Sequence, residues 1–243
     1  SSTQIQARVP TAESGPGDVA VTVRNTDGSF AVASGLFRYV QVVLDFDNTR
    51  VPVGTQPVAV IAEDTNGDGN PEIITANDGT ANVSVLPANL NYQNGSNYPT
   101  PVGPTALVVA DFNGNRIPDI AIACNNGSAQ DLAILSGNGG GGFMSPVTFT
   151  VGRNPTAIAS RDLDGDGKPD IVMAPRTGDT VYVLRNTSVT PGIAFTTGAT
   201  YNLKASSAPS ALLLDDLTGD AYPELVTGNY SDASISTFIG NSG

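Results

Sequence analysis

Apolar and polar residues alternate along most of the chain with a period of two, the spacing of a half-buried β-strand, and no 3.6-residue helical period is sustained. The alternation is packaged into a unit that recurs four times. Each copy has a Pro, an apolar alternating stretch, an acidic Gly-rich loop, a second Pro and another apolar stretch. The copies start at Pro57 (PVAVIAEDTNGDGNPEII), Pro104 (PTALVVADFNGNRIPDIAIA), Pro155 (PTAIASRDLDGDGKPDIVMA) and Pro209 (PSALLLDDLTGDAYPELVTG). Their loops open at Asp64, Asp111, Asp162 and Asp216, so the period is 47, 51 and 54 residues. About four strand signals fall in each copy; in the third they are Thr156–Ser160, Asp170–Ala174, Thr180–Leu184 and Ala194–Tyr201. Four short strands per ~40–50 residues predict an all-β fold, a β-propeller of four-stranded blades.

The fourth copy runs out at Phe238–Gly243, before its outermost strand, while Val42–Phe46 through Val53 and Gly54 reads like the last strand of the other repeats. Two readings stay open. That strand completes the fourth blade and closes a small ring, which removes exposed sheet edges. Otherwise the four repeats belong to a larger ring, the reading favoured because four blades are few. Residues 1–40 lack the repeat. Val19, Val21 and Val23 alternate with Ala20, Thr22 and Arg24, and the turn Asn25–Gly28 leads into Phe30–Tyr39, which predicts a hairpin. Two or three strands make no independent domain, so this segment packs on the repeats, pairs with another chain, or is part of a cut sandwich. The expected organisation is therefore residues 1–40 as one β segment and 41–243 as the repeats.

Composition narrows the chemistry. Lys, Glu and Met are scarce while Val, Ile and Thr are common, in keeping with strand. No run approaches the ~18–20 apolar residues of a membrane span. Twenty-three acids against 11 bases give a net charge of −12, which argues against nucleic-acid binding. His is absent, removing Ser-His-Asp and Cys-His nucleophile systems and His-ligated zinc or iron. The single cysteine, Cys124, ends the apolar run from Ile120 and is expected to be a buried, inert thiol. Nothing at Ser1 looks like a signal peptide, and the missing initiator Met points to a processed or excised piece.

The four loops align without gaps over nine positions: DTNGDGNPE, DFNGNRIPD, DLDGDGKPD and DLTGDAYPE. They hold 12 of the 23 acids, a concentration that costs electrostatic repulsion unless a hard cation offsets it. Oxygen-bearing side chains fill positions 1, 3, 5 and 9, and position 4 is always Gly. The candidate ligands are Asp64, Asn66, Asp68 and Glu72; Asp111, Asn113, Asn115 and Asp119; Asp162, Asp164, Asp166 and Asp170; and Asp216, Thr218, Asp220 and Glu224. Position 7 (Asn70, Ile117, Lys168, Tyr222) shares no side-chain chemistry, as expected where only its backbone carbonyl binds. Ca²⁺, with six to eight oxygens at ~2.3–2.6 Å, fits such a loop better than Mg²⁺. An EF-hand needs a bidentate Glu at position 12, where Thr75, Ile122, Met173 and Thr227 stand here. Carboxylate count and the Gly at position 6 give the expected affinity order Asp162 > Asp64 > Asp216 > Asp111 for up to four Ca²⁺ ions, the Asp111 loop being weakest because Arg116 adds a positive charge. The alternative for any one copy is an ordinary Asx turn.

The pattern D-x-[DNT]-G-[DN]-x-x-P-[DE] followed by an apolar strand resembles the FG-GAP/VCBS repeats of integrin α-type β-propellers, over roughly residues 42–243. The resemblance implies a calcium-binding propeller of secreted or cell-surface proteins, serving adhesion or carbohydrate contact, with ligands at the loop positions above; Thr218 and Arg116 depart from the strongest form of the pattern. Separately, Ile5–Pro10 through Gly15–Val23 and Phe37–Tyr39 looks like the second half of an IPT/TIG immunoglobulin-like domain.

Weaker signals have plainer readings. Asn82, Asn94, Asn126, Asn186 and Asn229 head N-x-S/T sequons that a chain this rich in Asn, Ser and Thr produces by chance. The Gly137–Gly142 run reads as an inter-strand loop rather than a phosphate cradle, and the absence of Trp leaves little for sugar stacking. Three function classes follow. The first is a non-catalytic extracellular module presenting loops to a protein or glycan, with calcium stiffening each blade. The second is a polysaccharide lyase or hydrolase on the same fold, against which stands the absence of an assignable acid–base pair among the remaining acids. The third is a subunit of a filament or surface layer, self-associating through residues 1–40.

Overall fold

The computed structural model describes residues 4–7, 17–24, 30–39, 50–125, 127, 131–151, 154–205 and 207–240. The chain divides into two units, residues 1–50 and 51–243. In the first, β1 (Gln4–Ala7), β2 (Gly17–Arg24) and β3 (Phe30–Tyr39) form an antiparallel sheet in that order, with an irregularity in β2 between Val19 and Val21. An Ig-like character for this segment rests on the sequence resemblance alone.

The second unit holds four antiparallel sheets among the described residues, one per repeat. The first is β4 (Pro57–Glu63), β5 (Glu72–Asn77), β6 (Asn82–Leu86) and β7 (Ser96–Pro99). The second is β8 (Pro104–Ala110), β9 (Asp119–Cys124), β10 (Leu132–Leu135) and β11 (Val147–Phe149). The third is β12 (Pro155–Arg161), β13 (Asp170–Pro175), β14 (Thr180–Asn186) and β15 (Phe195–Asn202), matching its four expected strands to within two residues at each end. The fourth has three described strands, β16 (Pro209–Asp215), β17 (Glu224–Asn229) and β18 (Ser234–Phe238), as its early run-out predicts. The strand expected over residues 42–54 lies in part outside the described residues, and Val51–Gln56 form none. The amides of Gly54 and Thr55 go instead to the hydroxyls of Ser84 and Thr80, at 3.2 Å each, so no ladder begins there.

Within each sheet the strands are neighbours in chain order, and the first strands β4, β8, β12 and β16 touch in succession. Each sheet therefore has a leading face toward the preceding repeat and a trailing face toward the next. The trailing face of the first sheet (Ile74, Ala76, Val83, Val85, with Ala59 and Ile61) meets the leading face of the second (Leu107, Ile120, Ile122, Cys124, Leu135). The same pattern joins the second sheet to the third through Ala121, Ile134, Phe112, Ile171 and Met173, and the third to the fourth through Val172, Val183, Leu212, Leu225 and Phe238. The second strands of the two middle sheets are enclosed on both sides: every residue of β9 and β13 is buried. That is why they read as unbroken apolar runs rather than alternations.

The Pro that opens each repeat has a structural reason. Between the first and third residues of every first strand the register shifts, at Pro57/Ala59, Pro104/Ala106, Pro155/Ala157 and Pro209/Ala211. Pro, lacking an N–H, is tolerated where the ladder is interrupted. The residue before it has φ of 54° (Gln56), 76° (Gly103), 59° (Asn154) or 48° (Ala208), and its carbonyl accepts the amide of Asp78, Asn125, Arg176 or Tyr230. The same corner thus ties the entry of the first strand to the exit of the second. One residue on, the Thr105 hydroxyl lies 2.8 Å from the Pro155 carbonyl and that of Thr156 lies 3.2 Å from Pro209, joining neighbouring sheets at their first strands.

Cys124 is fully buried, and desolvation pushes its thiol up to about 12, as expected of an inert core residue. The Gly-rich run is an inter-strand loop, in which the Asn138 carboxamide oxygen accepts the amides of Gly140 and Gly142. Ile134 is fully buried between the second and third sheets, so Ile134→Ala should lower unfolding stability by about 2–5 kcal/mol in chemical denaturation. Met144, 63% exposed, should change it by less than about 0.5 kcal/mol on replacement by Ala.

Candidate functional site

All four acidic loops join the first strand of a sheet to the second and share one hydrogen-bond plan. The carboxylate at position 1 accepts the amides of positions 4 and 6. Asp64 takes Gly67 at 2.7 Å and Gly69 at 2.8 Å; Asp111 takes Gly114 at 2.8 Å and Arg116 at 2.6 Å. Asp162 takes Gly165 and Gly167 at 2.8 Å each; Asp216 takes Gly219 at 2.6 Å and Ala221 at 2.9 Å. The side-chain oxygen at position 5 accepts the amide of position 7 in every copy, from Asn70, Ile117, Lys168 and Tyr222, at 2.8–2.9 Å. Position 3 accepts the amide of position 5 in three copies, through Asn66, Asn113 and Asp164. These are successive Asx turns, and they leave each position-1 carboxylate as a whole with accepting capacity to spare.

That wrapping requires left-handed backbone at two positions. Position 4 has φ of 78°, 74°, 77° and 81° at Gly67, Gly114, Gly165 and Gly219, which explains the invariant glycine. Position 6 is also left-handed, at Gly69 (85°) and Gly167 (84°), but also at Arg116 (67°) and Ala221 (72°). The two loops that lack Gly there therefore carry backbone strain.

Position 9 behaves differently from the other expected ligands. Glu72, Asp119, Asp170 and Glu224 are all essentially buried. Each accepts the amide of position 2, from Thr65 at 2.9 Å, Phe112 at 3.0 Å, Leu163 at 3.1 Å and Leu217 at 2.7 Å. In the last three repeats the other carboxylate oxygen accepts an amide from the far end of the third strand: Gly137 at 2.9 Å, Asn186 at 2.8 Å and Gly240 at 3.4 Å. This carboxylate staples the loop into its sheet. Sequence reasoning gave it a ligand's place and missed the staple, although its position directly before an apolar strand is the available signal.

Electrostatics separate the two kinds of carboxylate. Amide hydrogen bonds, Gly69 foremost for Asp64 and Gly219 for Asp216, hold these exposed position-1 carboxyls below the ordinary range. Desolvation raises the buried Asp170, and raises Asp119 to about 6. Lining up oxygens is most complete in the third loop, where carboxylate atoms of Asp162, Asp164 and Asp166 lie within 4.8 Å of one another, the one such acidic trio among the described residues. Two cations already sit there: Arg185, on β14 and missed from the sequence, reaches Asp164 at 2.9 Å, and Lys168, expected only to offer its carbonyl, lies 3.6 Å from Asp166. The second loop is held from the third repeat, by Asn186 donating to the Phe112 carbonyl at 2.9 Å and Thr190 to that of Asn113 at 2.6 Å. Two sequons are thereby accounted for: Asn186 and Asn229 are buried, hydrogen-bonded residues, Asn229 donating to Ser234 and Ser236.

The family described as FG-GAP-like repeat matches residues 64–122, 111–173 and 162–227. No curated protein matches the sequence. Among solved structures, BBS1N in complex with ARL6DN is 11% identical with a TM-score of 0.49, over 76% of this chain and 57% of that one. The V. cholerae biofilm matrix protein Bap1 is 16% identical with a TM-score of 0.43, over 93% of this chain and 34% of its own. The Photorhabdus luminescens Tc holotoxin pore is 17% identical with a TM-score of 0.44, over 90% and 11%. The chain thus spans little more than half, or less, of these three proteins. Likeness at this level transfers no function.

Two measurements check the loop geometry. Cβ atoms at Gly167 would meet no neighbour, so Gly167→Ala should lower stability through the left-handed backbone alone, by about 0.5–1 kcal/mol, and Ala221→Gly should raise it by a similar amount. Asp119 is favoured in its protonated form by folding, so its contribution is full below an unfolded value near 3.8 and lost as pH rises through about 6. In metal-free protein, Asp119→Asn should flatten that limb of the melting-temperature profile.

Proposed function

This chain belongs to the FG-GAP-like repeat family, and on that premise we propose that it is a calcium-binding β-propeller module of a secreted or cell-surface protein. Its four sheets serve as blades, and it acts without catalysis, in adhesion or in building an extracellular structure. Ca²⁺ binds in the loops at 64–72, 111–119, 162–170 and 216–224 and stiffens each blade. Its partner is a protein or glycan met at the surface. No helix among the described residues is long and apolar enough to cross a membrane, which leaves β-barrels unaddressed.

One observation carries the reading: the same nonapeptide loop, with its position-1 carboxylate wrapped by the amides of positions 4 and 6, occurs once per sheet in all four sheets. Side-chain oxygens at positions 1, 3 and 5 are thereby presented together, most fully at Asp162, Asp164 and Asp166. In that loop the cation takes over the charge compensation that Arg185 and Lys168 supply in its absence. A structural role suits the geometry because the position-9 staple connects each loop to its sheet.

Calcium titration followed by calorimetry and thermal melting tests the proposal. At several hundred times the dissociation constant each occupied site should add ~3–4 kcal/mol, and chelation should lower the melting temperature. Asp162→Asn combined with Asp166→Asn should remove the tightest site while leaving the others. Identical melting curves in calcium and in chelator would refute the stiffening role.

A further inference from the structure

The third loop stands apart in what faces its unused oxygens. Amides take both oxygens of Asp162, from Gly165 and Gly167. They take one oxygen each of Asp164 and Asp166, from the backbone of Asp166 and Lys168. Asp164 Oδ2 and Asp166 Oδ2 are left over, and these are the two oxygens that meet cations. Arg185 Nη1 donates to Asp164 Oδ2 at 2.9 Å, and Lys168 Nζ lies 3.6 Å from Asp166 Oδ2. Among the described residues, the remaining ion pair joins Arg161 to Asp215, outside the loops.

The sheets supply a comparison for Arg185. In each one, the residue after position 9 pairs with a residue of the third strand: Ile73 with Leu86, Ile120 with Leu135, Ile171 with Leu184 and Leu225 with Phe238. The next residue along is Pro87, Ser136, Arg185 or Ile239, so the cation stands only in the sheet whose loop has four carboxylates. Lys168 repeats the coincidence at loop position 7, where the other copies have Asn70, Ile117 and Tyr222. We propose that Arg185 sets the calcium affinity of the third loop, as an internal counter-ion that offsets its clustered carboxylates without metal and competes with Ca²⁺ for Asp164 Oδ2. The inference rests on the calcium reading above and adds the residue that regulates its most acidic site.

Asp162, Asp164 and Asp166 bring carboxylate oxygens within 4.8 Å of one another, and like charges so close repel. A guanidinium on one of them relieves that repulsion. A divalent ion in the same trio meets the guanidinium as a charge of its own sign, which lowers its affinity by about tenfold at the high effective dielectric of a surface loop. The third loop therefore binds less tightly than four carboxylates alone would. By linkage, filling the loop weakens the Arg185–Asp164 pair by the same factor. Lys168 acts in the same sense but more weakly, since it sits 3.6 Å from its partner rather than 2.9 Å.

Calcium titration by calorimetry, with thermal melting in chelator and in saturating calcium, tests Arg185→Gln on the full chain. The third site is the binding event that the Asp162→Asn, Asp166→Asn protein lacks. Arg176→Gln is the charge-matched control, since Arg176 lies past the other end of β13, over the Tyr230 ring. Arg185→Gln should tighten the third site about tenfold and leave the other sites unchanged. The rise in melting temperature brought by calcium should then be larger than in the wild type. Lys168→Gln should shift the same site in the same direction by a smaller factor, and Arg176→Gln should not shift it. A third site unchanged or weakened in Arg185→Gln overturns the inference, as does equal tightening by Arg176→Gln. So does a calcium-induced rise identical to that of the wild type, which would make Arg185 a structural pair only. Those results leave the calcium reading standing, whereas a wild-type chain that binds no calcium sinks both.

Discussion

A sheet that is apolar on both faces cannot exist alone in water, and that constraint organises the rest of this molecule. Strands β9 and β13 are buried along their whole length because a neighbouring sheet covers each side. Burying such a strand on one face only would leave side chains such as Ile122 or Met173 in water, at about 1.5–3 kcal/mol each. Repetition answers the problem: each repeat supplies one face to its predecessor and one to its successor. The devices that recur with the period, namely the Pro corner with its left-handed preceding residue, the hydroxyl reaching the next Pro carbonyl and the acidic loop, all sit where one strand turns into another or one sheet meets the next. They fix the spacing that lets the apolar faces interlock.

Carboxylates divide the work within each loop. At position 9 the charge is buried, which is unfavourable, and amides offset the loss of water, from two separate segments in the last three repeats. Asp119 and Asp170, both raised by desolvation, join a loop to a strand end because the two oxygens of each carboxylate accept amides from different segments. At position 1 the charge is exposed and the amides lower the pKa of Asp64 and Asp216, so the carboxylate stays ionised and available. One residue class is buried and bolts the loop to its sheet and the other is exposed and wrapped by amides, although both are written Asp or Glu in the same nonapeptide.

Much of the fold was legible in the sequence because its signals are local and repeated. The four strands of the third repeat, the short fourth sheet and the burial of Cys124 all follow from alternation, period and turn residues. What escaped is what depends on partners distant in the chain. That Glu72 and its equivalents also staple the loop is seen only from their amide donors, one of which, in the last three repeats, comes from the end of the third strand. Arg185 reaches Asp164 across 21 residues, and no pattern of spacing marks it as the cation that compensates the most acidic loop. The left-handed corners at Gln56, Asn154 and Ala208 were invisible for a different reason, since the residue before a proline ordinarily avoids helical backbone and nothing in these side chains announces the exception.

The loops and the sheet interfaces are also not independent. Asn186 donates its amide hydrogen to Asp170 inside the third repeat, and its side chain donates to the Phe112 and Pro169 carbonyls. One buried residue therefore connects the position-9 staple of one loop to the backbone of the loop before it. Phe112 in turn places its ring against Phe195, and Phe195 against Phe149, in the core between the second and third sheets. Both loops are thereby in contact with the packing between the sheets. Stiffening a nine-residue surface loop can thus stiffen the array, because the loop's fixed end is a carboxylate held inside the core.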